Sequence, residues 1–324
     1  MKIDKVLAMN GGQGEGSYAQ NSLHQSECLH FLQPFLKECI SNMKITPVER
    51  FCIADLGCSA GPNTLFIAES ISKVIQDKCM VMGSPVPELQ VFFSDLPSND
   101  FNLLFQSLPP PPKGDKEEEE DEDSNEKNGC RIKTRCNYFV AGVAGSFYNR
   151  LFPKNSLHFV HSSFSLHWLS QVPPEIEDKK LKSWNGGRVH ISKEGPVEIG
   201  EAYLGQFKKD VHNFLRARSD EVVRGGCMFI CIGGRPDACD DPRDQGPSRF
   251  TRDTLNATLN DMVIQGMIKE EERDSFNLPI YSPSPKELRA QVEKEGSFIV
   301  KKIESLFGLG YEGVINKDIS NREA

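Results

Sequence analysis

Short apolar runs alternate with stretches whose apolar residues recur at helical spacing along most of this chain. A bounded apolar run predicts a buried strand, whereas a period of about 3.6 residues predicts an amphipathic helix. Strands that alternate with helices predict βαβ units, and hence an α/β fold with a mostly parallel sheet. The predicted strands cover residues 51–56, 89–94, 157–161, 228–233 and 298–304, and the predicted helices cover residues 22–43, 63–77, 201–223 and 249–266.

Two segments interrupt this alternation. Residues 109–129 combine four prolines with an acidic block and cannot bury apolar surface. Strand-like sequence resumes at residues 138–140, so we expect a solvated loop inserted within the fold. Residues 172–200 are polar and rich in proline and glycine, and they do not fit the alternation. We assign them, with residues 235–295, to cap segments of a single domain that spans the whole chain.

The net charge of −8 is concentrated in the inserted loop. Residues 115–126 hold nine acids and one lysine, which accounts for the whole excess. The remainder of the chain is close to neutral and has no basic stripe, so a nucleic-acid partner is disfavoured.

Composition and cysteine usage suggest a globular protein of the cytoplasm. Of the 324 residues, 38% are hydrophobic, and neither an early signal-like segment nor a run of 18 apolar residues is present. We therefore expect neither secretion nor a membrane span. The ten cysteines form no paired C-x-x-C knuckles, which favours buried thiols over a disulfide framework or a zinc site.

The most informative segment is DLGCSAGPN at residues 55–63. It follows a predicted strand and precedes a predicted helix, and Asp55 stands at the end of the strand. Glycine lets the backbone approach a ligand, and the helix N-terminus offers free N–H groups, so the unit suits a nucleotide-like ligand. A purely structural glycine turn remains an alternative. A nicotinamide-dependent oxidoreductase is disfavoured, because the G-x-G-x-x-G spacing and the later acid are missing.

Other candidate residues follow later strands. Asp95 could accept hydrogen bonds from ribose hydroxyls, although a helix N-cap is its alternative role. Ser146 and Phe147 could bind and stack on a nucleoside, or simply form a turn. His167 and Trp168 follow a predicted strand where open α/β sheets bind ligands. The indole N–H of tryptophan only donates, which suits an anionic acceptor.

Several motifs occur in order over about residues 5–304 and together resemble the plant SABATH carboxyl methyltransferases. They are the N-terminal signature at residues 9–22, DLGCSAGPN, SDLPSNDFN, GSFYNRLFP, HSSFSLHWLSQVP, FNLP at 276–279 and EGSF at 295–298. Within the family the resemblance is greatest to indole-3-acetate methyltransferases, with cinnamate and p-coumarate methyltransferases nearby.

This resemblance implies a Rossmann-like class I methyltransferase sheet with a helical cap over the acceptor pocket. It also implies S-adenosylmethionine as cofactor, a small carboxylic acid as acceptor, and a homodimer in many members. The implied cofactor-binding residues are Tyr18, Ser22, Asp55, Gly57, Asn63, Asp95, Leu96, Ser146 and Phe147. The implied acceptor-binding residues are Asn10, Tyr18, Gln25, His167 and Trp168, and an Mg²⁺ near the pocket would be held by Asn185, Asp274, Phe276 through its main chain, and Asn277.

Two positions depart from the family pattern. Asn10 stands where salicylate-type members carry a lysine, so it can donate a hydrogen bond but brings no charge. Only 20 residues follow the last predicted strand, and residues 318–324 do not resemble the final strand of the family. The sequence thus suggests a shortened C-terminus, and a non-catalytic ligand-binding form is an alternative.

Methyl transfer to a carboxylate requires no base, because such an acid is already ionised at pH 7. The resemblance therefore predicts an enzyme that acts by positioning, with no catalytic acid or base and with His167 shaping the pocket. Salicylate or benzoate as acceptor, and a ring nitrogen as in the purine alkaloid branch, are the remaining alternatives. A nitrogen acceptor that must lose a proton would give a pH-dependent rate.

Overall fold

The computed structural model describes residues 8–45, 48–110, 136–246 and 249–306. Five strands form one sheet in the order β3-β2-β1-β4-β5, and every pair of neighbours is parallel. The strands are β1 Arg50–Leu56, β2 Glu88–Asp95, β3 Phe139–Ala144, β4 Leu157–Ser163 and β5 Val222–Cys231. The predicted α/β fold with a parallel sheet is therefore confirmed.

The helices match the long predicted periodic segments to within a few residues. Their bounds are α1 Tyr18–Asn21, α2 Leu23–Asn42, α3 Pro62–Val81, α4 Phe101–Gln106, α5 Val197–Glu221, α6 Arg249–Ile264, α7 Glu270–Ser275 and α8 Pro285–Glu295. A proline in the first turn and a glycine N-cap begin α3, and a capping box of Ser284 and Glu287 begins α8. A left-handed Gly296 ends α8.

Helices cover both faces of the sheet, because its central strands are apolar on both sides. Successive residues Ile53 and Ala54 of β1 are both fully buried and point into different core clusters. One cluster includes Ile71 of α3 and further residues of α2, and the other includes Phe207 and its neighbours on α5. Strands buried on both faces are expected of a parallel sheet, and this burial explains why β1 and β4 read as continuous apolar runs.

The prediction of a strand over residues 298–304 is wrong. Within the part of the chain that the structure describes they have no strand partner, and Ile299 is 80% exposed. Instead, Lys302 forms an ion pair with Glu38 of α2 at 2.7 Å and lies over the ring of Phe35. An apolar run does not reveal whether a backbone partner exists, so it cannot distinguish a strand from an extended segment that packs on a helix.

The predicted boundary between α5 and β5 also needs correction. The helix ends at Glu221 and the strand begins at once, well before the predicted start at residue 228. Gly225 has φ +84°, and the pairing of β4 with β5 shifts register between Leu157 and Phe159. Residues 224–227, which lie between the predicted helix and the predicted strand, therefore belong to β5 and contain a glycine bulge.

Several predictions fall on residues outside the described ranges. Most of the inserted loop predicted at residues 109–129 lies within the undescribed residues 111–135, and the C-terminal residues 318–324 lie within the undescribed residues 307–324. Among the described residues, the cysteines are free thiols, and Cys39 Sγ lies 3.3 Å from Cys227 Sγ. Within the same ranges, no helix is both long and apolar enough to cross a membrane.

Candidate active site

The glycine loop after β1 is hydrogen-bonded to the end of β2. The N–H groups of Gly57 and Cys58 both donate to the carbonyl of Ser94, at 2.8 and 3.1 Å. Gly57 has φ +80°, and a Cβ built on it would lie 2.1 Å from Ser165 Oγ. Only glycine fits here, because it tolerates this conformation and leaves the backbone open to close approach.

Asp55, at the carboxyl end of β1, is held by side chains of α3 and β4. Its Oδ1 lies 2.7 Å from His161 Nδ1, and its Oδ2 accepts from Thr64 Oγ1 at 2.5 Å. The other ring nitrogen of His161 lies 2.8 Å from Ser163 Oγ. These contacts fix the orientation of a buried carboxylate at the floor of the site.

Asp95 ends β2 and receives two backbone N–H groups. Ser59 N donates to its Oδ2 and Leu96 N to its Oδ1, both at 2.7 Å. Burial raises the pKa of Asp95, and these two hydrogen bonds oppose that shift. Asp100, and not Asp95, caps α4 by accepting from Leu103 N at 3.0 Å, while the alternative of a turn aspartate for Asp95 stays open.

The N-terminal residues lie over the glycine loop. The ring of Tyr18 approaches Gly61, where an added Cβ would meet it at 3.2 Å. Asn63 at the start of α3 donates to the carbonyl of Ser22 at 3.3 Å. Burial raises the pKa of Tyr18, with a hydrogen bond from Asn63 opposing it and the charges of Asp55 and Asp95 adding to it. The fold thus brings Tyr18, Ser22 and Asn63 to the two aspartates.

Residues 145–152 after β3, here called the β3 loop, lie next to the glycine loop and Asp95. Gly145 N donates to the carbonyl of Asp95 at 2.8 Å, so the loop starts beside that carboxylate. The ring of Phe147 lies 3.6 Å from the position of a Cβ on Gly57, and it meets Tyr148 edge-on at 4.8 Å between centroids. Ser146 Oγ accepts a hydrogen bond from Tyr148 N at 3.4 Å. An aromatic face and a hydroxyl therefore border the glycine loop.

Residues 164–169 after β4, here called the β4 loop, carry His167 and Trp168. Gly233 N donates to His167 Nδ1 at 3.2 Å, which leaves the proton of a neutral ring on Nε2. Burial, together with the positive charge of Arg252, lowers the pKa of His167 to about 3. His167 is therefore neutral at pH 7 and lacks the basicity for proton abstraction there.

A segment of the predicted cap is joined to the β4 loop by backbone pairing. Leu169 N donates to Pro279 O at 2.7 Å, Tyr281 N donates to His167 O at 2.9 Å, and Trp168 forms a bridge with Ile280. This pairing fixes the position of Trp168 relative to residues 279–281.

Two acceptor candidates stand further towards the N-terminus. Gln25 lies in the first turn of α2 and is partly exposed. Asn10 is exposed, its carbonyl accepts from Tyr18 N at 2.9 Å and its amide donates to Gly16 O at 3.3 Å. Asn10 thus organises the turn that presents Tyr18, a role that the sequence did not suggest.

The four residues predicted to hold Mg²⁺ gather in the cap. Asn185 Nδ2 donates to Asn277 Oδ1 at 2.8 Å, and Asn185 Oδ1 is buried without a partner. Asp274 Oδ1 already accepts from Gly187 N at 2.9 Å and from the guanidinium of Arg273 at 2.8 Å. Phe276, which follows in the chain, donates its own N–H to Arg273 O at 3.0 Å. Mg²⁺ usually keeps several water ligands and takes one or two carboxylates from the protein, so the unpartnered oxygen of Asn185 near Asp274 fits such an ion, although Asp274 already shares its charge with Arg273. The Mg²⁺ site stays a prediction.

Sequence reasoning missed three residues that organise the site. Thr64 binds Asp55, Tyr148 reaches the β4 loop, and Arg218 holds the β3 loop from within α5. The only available signal was Arg218, a charged residue on the apolar face of a helix between Phe214 and Val222. Thr64 directly follows the DLGCSAGPN segment and Tyr148 belongs to the GSFYNRLFP segment, but neither residue type reveals its hydrogen-bond partner.

Comparison with known proteins places the chain in a family. The sequence profile described as SAM dependent carboxyl methyltransferase matches residues 4–318. A probable jasmonic acid carboxyl methyltransferase of Theobroma cacao is 42% identical over 98% of this chain and 82% of the relative. An indole-3-acetate O-methyltransferase of Arabidopsis thaliana is 43% identical over 94% and 76%, and a 3,7-dimethylxanthine N-methyltransferase of Camellia sinensis is 41% identical over 94% and 78%.

A solved structure described as loganic acid methyltransferase with SAH shares the fold. It superposes with a TM-score of 0.77 and 36% sequence identity, over 89% of this chain and 75% of that one. The chain belongs to the SABATH family of SAM-dependent carboxyl methyltransferases, and it is a SAM-dependent methyltransferase.

Proposed function

We propose that this protein transfers a methyl group from S-adenosylmethionine to the carboxylate of a small acid, with indole-3-acetate as the first candidate. The observation that carries the proposal is the neutral ring of His167 beside Trp168 at the edge of the sheet. These two side chains can donate hydrogen bonds to an anion, but His167 cannot act as a base. A carboxylate is an acceptor that needs no base.

The cofactor would lie across the glycine loop. Asp95, whose oxygens each keep a free lone pair, would accept hydrogen bonds from both ribose hydroxyls. Phe147 would stack on the adenine, and Ser146 would bind its edge. The ring of Phe147 supports this placement, because it lies beside the glycine loop, 3.6 Å from the position of a Cβ on Gly57.

S-adenosylmethionine, when bound, supplies an electrophilic methyl group on a sulfonium. Tyr18 would border that methyl from the N-terminal side, because it lies within reach of both aspartates. Asp55, fixed by His161 and Thr64, holds a negative charge on the floor of the site. A negative charge in a dry site favours a cation.

The acceptor would be oriented by two donors. Gln25 and the indole N–H of Trp168 would bind one carboxylate oxygen and leave the other facing the methyl group. Their contribution is to alignment, because a nucleophile held at the right distance and angle reacts without further activation. Donors that bound both oxygens strongly would stabilise the ground state and slow the step.

Sequence similarity bears on the identity of the acid. The motifs of residues 92–102 and 241–246 resemble the indole-3-acetate branch, and relatives with that name in Arabidopsis and rice are 43% and 42% identical. The relatives named for jasmonic acid and 3,7-dimethylxanthine are equally similar. Cinnamate, p-coumarate, salicylate and benzoate therefore belong in the test, and so does a xanthine.

The test is methyl transfer from labelled S-adenosylmethionine to each of these acceptors and to jasmonate, with and without Mg²⁺. A methyl ester of one acid would establish the reaction and its acceptor. A methylated xanthine would replace the carboxylate proposal with N-methylation. Binding of S-adenosylhomocysteine without any product would leave a non-catalytic ligand-binding form. Dependence of the rate on Mg²⁺, abolished by Asp274→Asn, would support the predicted metal site.

We also propose a homodimer located in the cytoplasm, as implied by the family resemblance. Light scattering coupled to size exclusion measures the first, and a fluorescent fusion observed in plant cells measures the second.

A further inference from the structure

The β3 loop and the β4 loop leave the sheet at strands that are not neighbours. In the order β3-β2-β1-β4-β5, strands β3 and β4 are separated by β2 and β1. Adjacent strands lie about 4.8 Å apart, so the two loops start roughly 14 Å from each other. Strands β3 and β4 are therefore not hydrogen-bonded to each other in the sheet.

One side chain joins them directly. The hydroxyl of Tyr148, in the β3 loop, donates to the backbone carbonyl of Trp168, in the β4 loop, at 2.6 Å. Tyr148 is 8% exposed, and its ring packs between the two loops in the same core cluster as Leu166 and Leu169. The bond therefore lies between the side of the site that borders the cofactor loop and the residue proposed to hold the acceptor.

The β3 loop is itself held from beneath by a buried ion pair at the end of α5. Arg218 donates to Phe147 O at 2.8 Å and to Asn149 O at 3.0 Å, the carbonyls on either side of Tyr148. Glu221 pairs with Arg218 at 2.7 Å and accepts from the N–H groups of Leu151 and Phe152. Both charged side chains are fully buried, so this clamp leaves Tyr148 little freedom to move.

We propose that Tyr148 is a positioning residue for methyl transfer, which sets Trp168 in register with the cofactor while Arg218 and Glu221 hold its loop. The inference rests on the proposed function. An in-line displacement depends on the relative placement of two bound molecules, and errors on the order of an ångström slow such steps strongly. Loss of the Tyr148 hydroxyl should therefore change the rate of the step more than the binding of either ligand.

The test is Tyr148→Phe in the full chain, because the substitution keeps the packed ring and removes one oxygen. Tyr138→Phe is the matched control, since Tyr138 is also buried and directly precedes β3, at the end of the sheet opposite to both loops. The measurements are kcat and KM for the acid accepted by the wild type, the Kd of S-adenosylhomocysteine by calorimetry, and the melting temperature.

We expect Tyr148→Phe to lower kcat about tenfold while the Kd of S-adenosylhomocysteine stays within about twofold of the wild type. Tyr138→Phe should leave kcat unchanged at a similar melting temperature. Unchanged kcat in Tyr148→Phe would overturn the inference, and so would losses of kcat and cofactor binding that merely follow a lowered melting temperature in both variants. A wild type that forms no ester with any acid would instead refute the proposed function.

Discussion

Asp55 and His161 stand opposite each other on the neighbouring strands β1 and β4, and their side chains meet at 2.7 Å below the surface of the site. The pairing register of two parallel strands thus decides the orientation of the carboxylate that ends β1. Thr64, from the first turn of α3, binds the second oxygen, so strand and helix both constrain one side chain.

Replacing His161 by Phe should destabilise the fold and weaken cofactor binding. The ring is kept, but Asp55 Oδ1 loses its partner and remains buried, which costs about 1–3 kcal/mol. Urea unfolding and the Kd of S-adenosylhomocysteine measure the two effects. His212→Phe, on the exposed face of α5, is the control and should change neither quantity. Equal stability of His161→Phe and the wild type would contradict the assigned role of the pair.

Asp95→Asn should reduce the affinity for S-adenosylhomocysteine about 10- to 100-fold. The variant keeps its size but loses the charge that would accept hydrogen bonds from the ribose hydroxyls, and hydrogen bonds to charged groups contribute about 1.5–3 kcal/mol. Calorimetry provides the Kd. Asp77→Asn, which is exposed on α3, removes one charge elsewhere and should leave the Kd unaltered. Similar affinities for the two variants would remove Asp95 from the proposed cofactor site.

Gly57→Ala should destabilise the protein by more than Gly83→Ala. Both glycines have positive φ, +80° and +63°, so both variants carry a similar backbone penalty of about 1–2 kcal/mol. The Cβ at position 57 would lie 2.1 Å from Ser165 Oγ, whereas nothing lies within 4 Å at position 83. The difference in free energy of unfolding between the variants therefore measures the crowding. Two equal losses would show that the loop can move away from Ser165.

Trp168→Phe should lower kcat/KM for the acid about tenfold and leave the Kd of S-adenosylhomocysteine unchanged. The aromatic packing is retained, and only the N–H donor proposed for the carboxylate is lost, at about 1–2 kcal/mol. Trp184→Phe is the matched control, because this second tryptophan lies in the cap beneath Lys179. An equal kcat/KM in Trp168→Phe and wild type would mean that other residues hold the acid.

Lowering the pH should destabilise the protein between about pH 6.5 and 3, in part through His167. Its pKa is about 3 in the folded state and about 6.5 when unfolded, so the unfolded chain gains a proton first. The free energy of unfolding then falls by up to about 1.4 kcal/mol per pH unit in this window and is independent of His167 above it.

His158 and His190 act in the same direction, since burial lowers the pKa of each. The contribution of His167 is therefore measured as the free energy of unfolding of the wild type minus that of His167→Gln. This difference should become smaller as the pH falls from 6.5. If the free energies of unfolding of the two proteins changed in parallel with pH, the assignment of a buried neutral His167 would be refuted.

The rate of methyl transfer by the wild type should be flat above about pH 6, whereas a sigmoidal rise near that value would indicate a histidine base.

Local patterns predicted the elements whose burial is regular. The long helices and the strands β1, β2 and β4 were found from periodicity and continuous apolar runs, because both of their faces or one full stripe are buried. The predicted strand at 298–304 and the start of β5 failed for the opposite reason, since backbone partners and a glycine bulge are properties of the assembled sheet.

The sequence by itself determined the parallel α/β fold, the glycine loop at 55–63 and, through its motifs, the methyltransferase family. These are properties of short segments, encoded by residue type and spacing over a few positions. Only the tertiary structure decided that His161 and Thr64 hold Asp55, that Tyr148 bonds to Trp168, and that Arg218 clamps the loop between them. The physical reason is that these contacts join distant parts of the chain, and their geometry follows from strand order and helix packing, which no local pattern records.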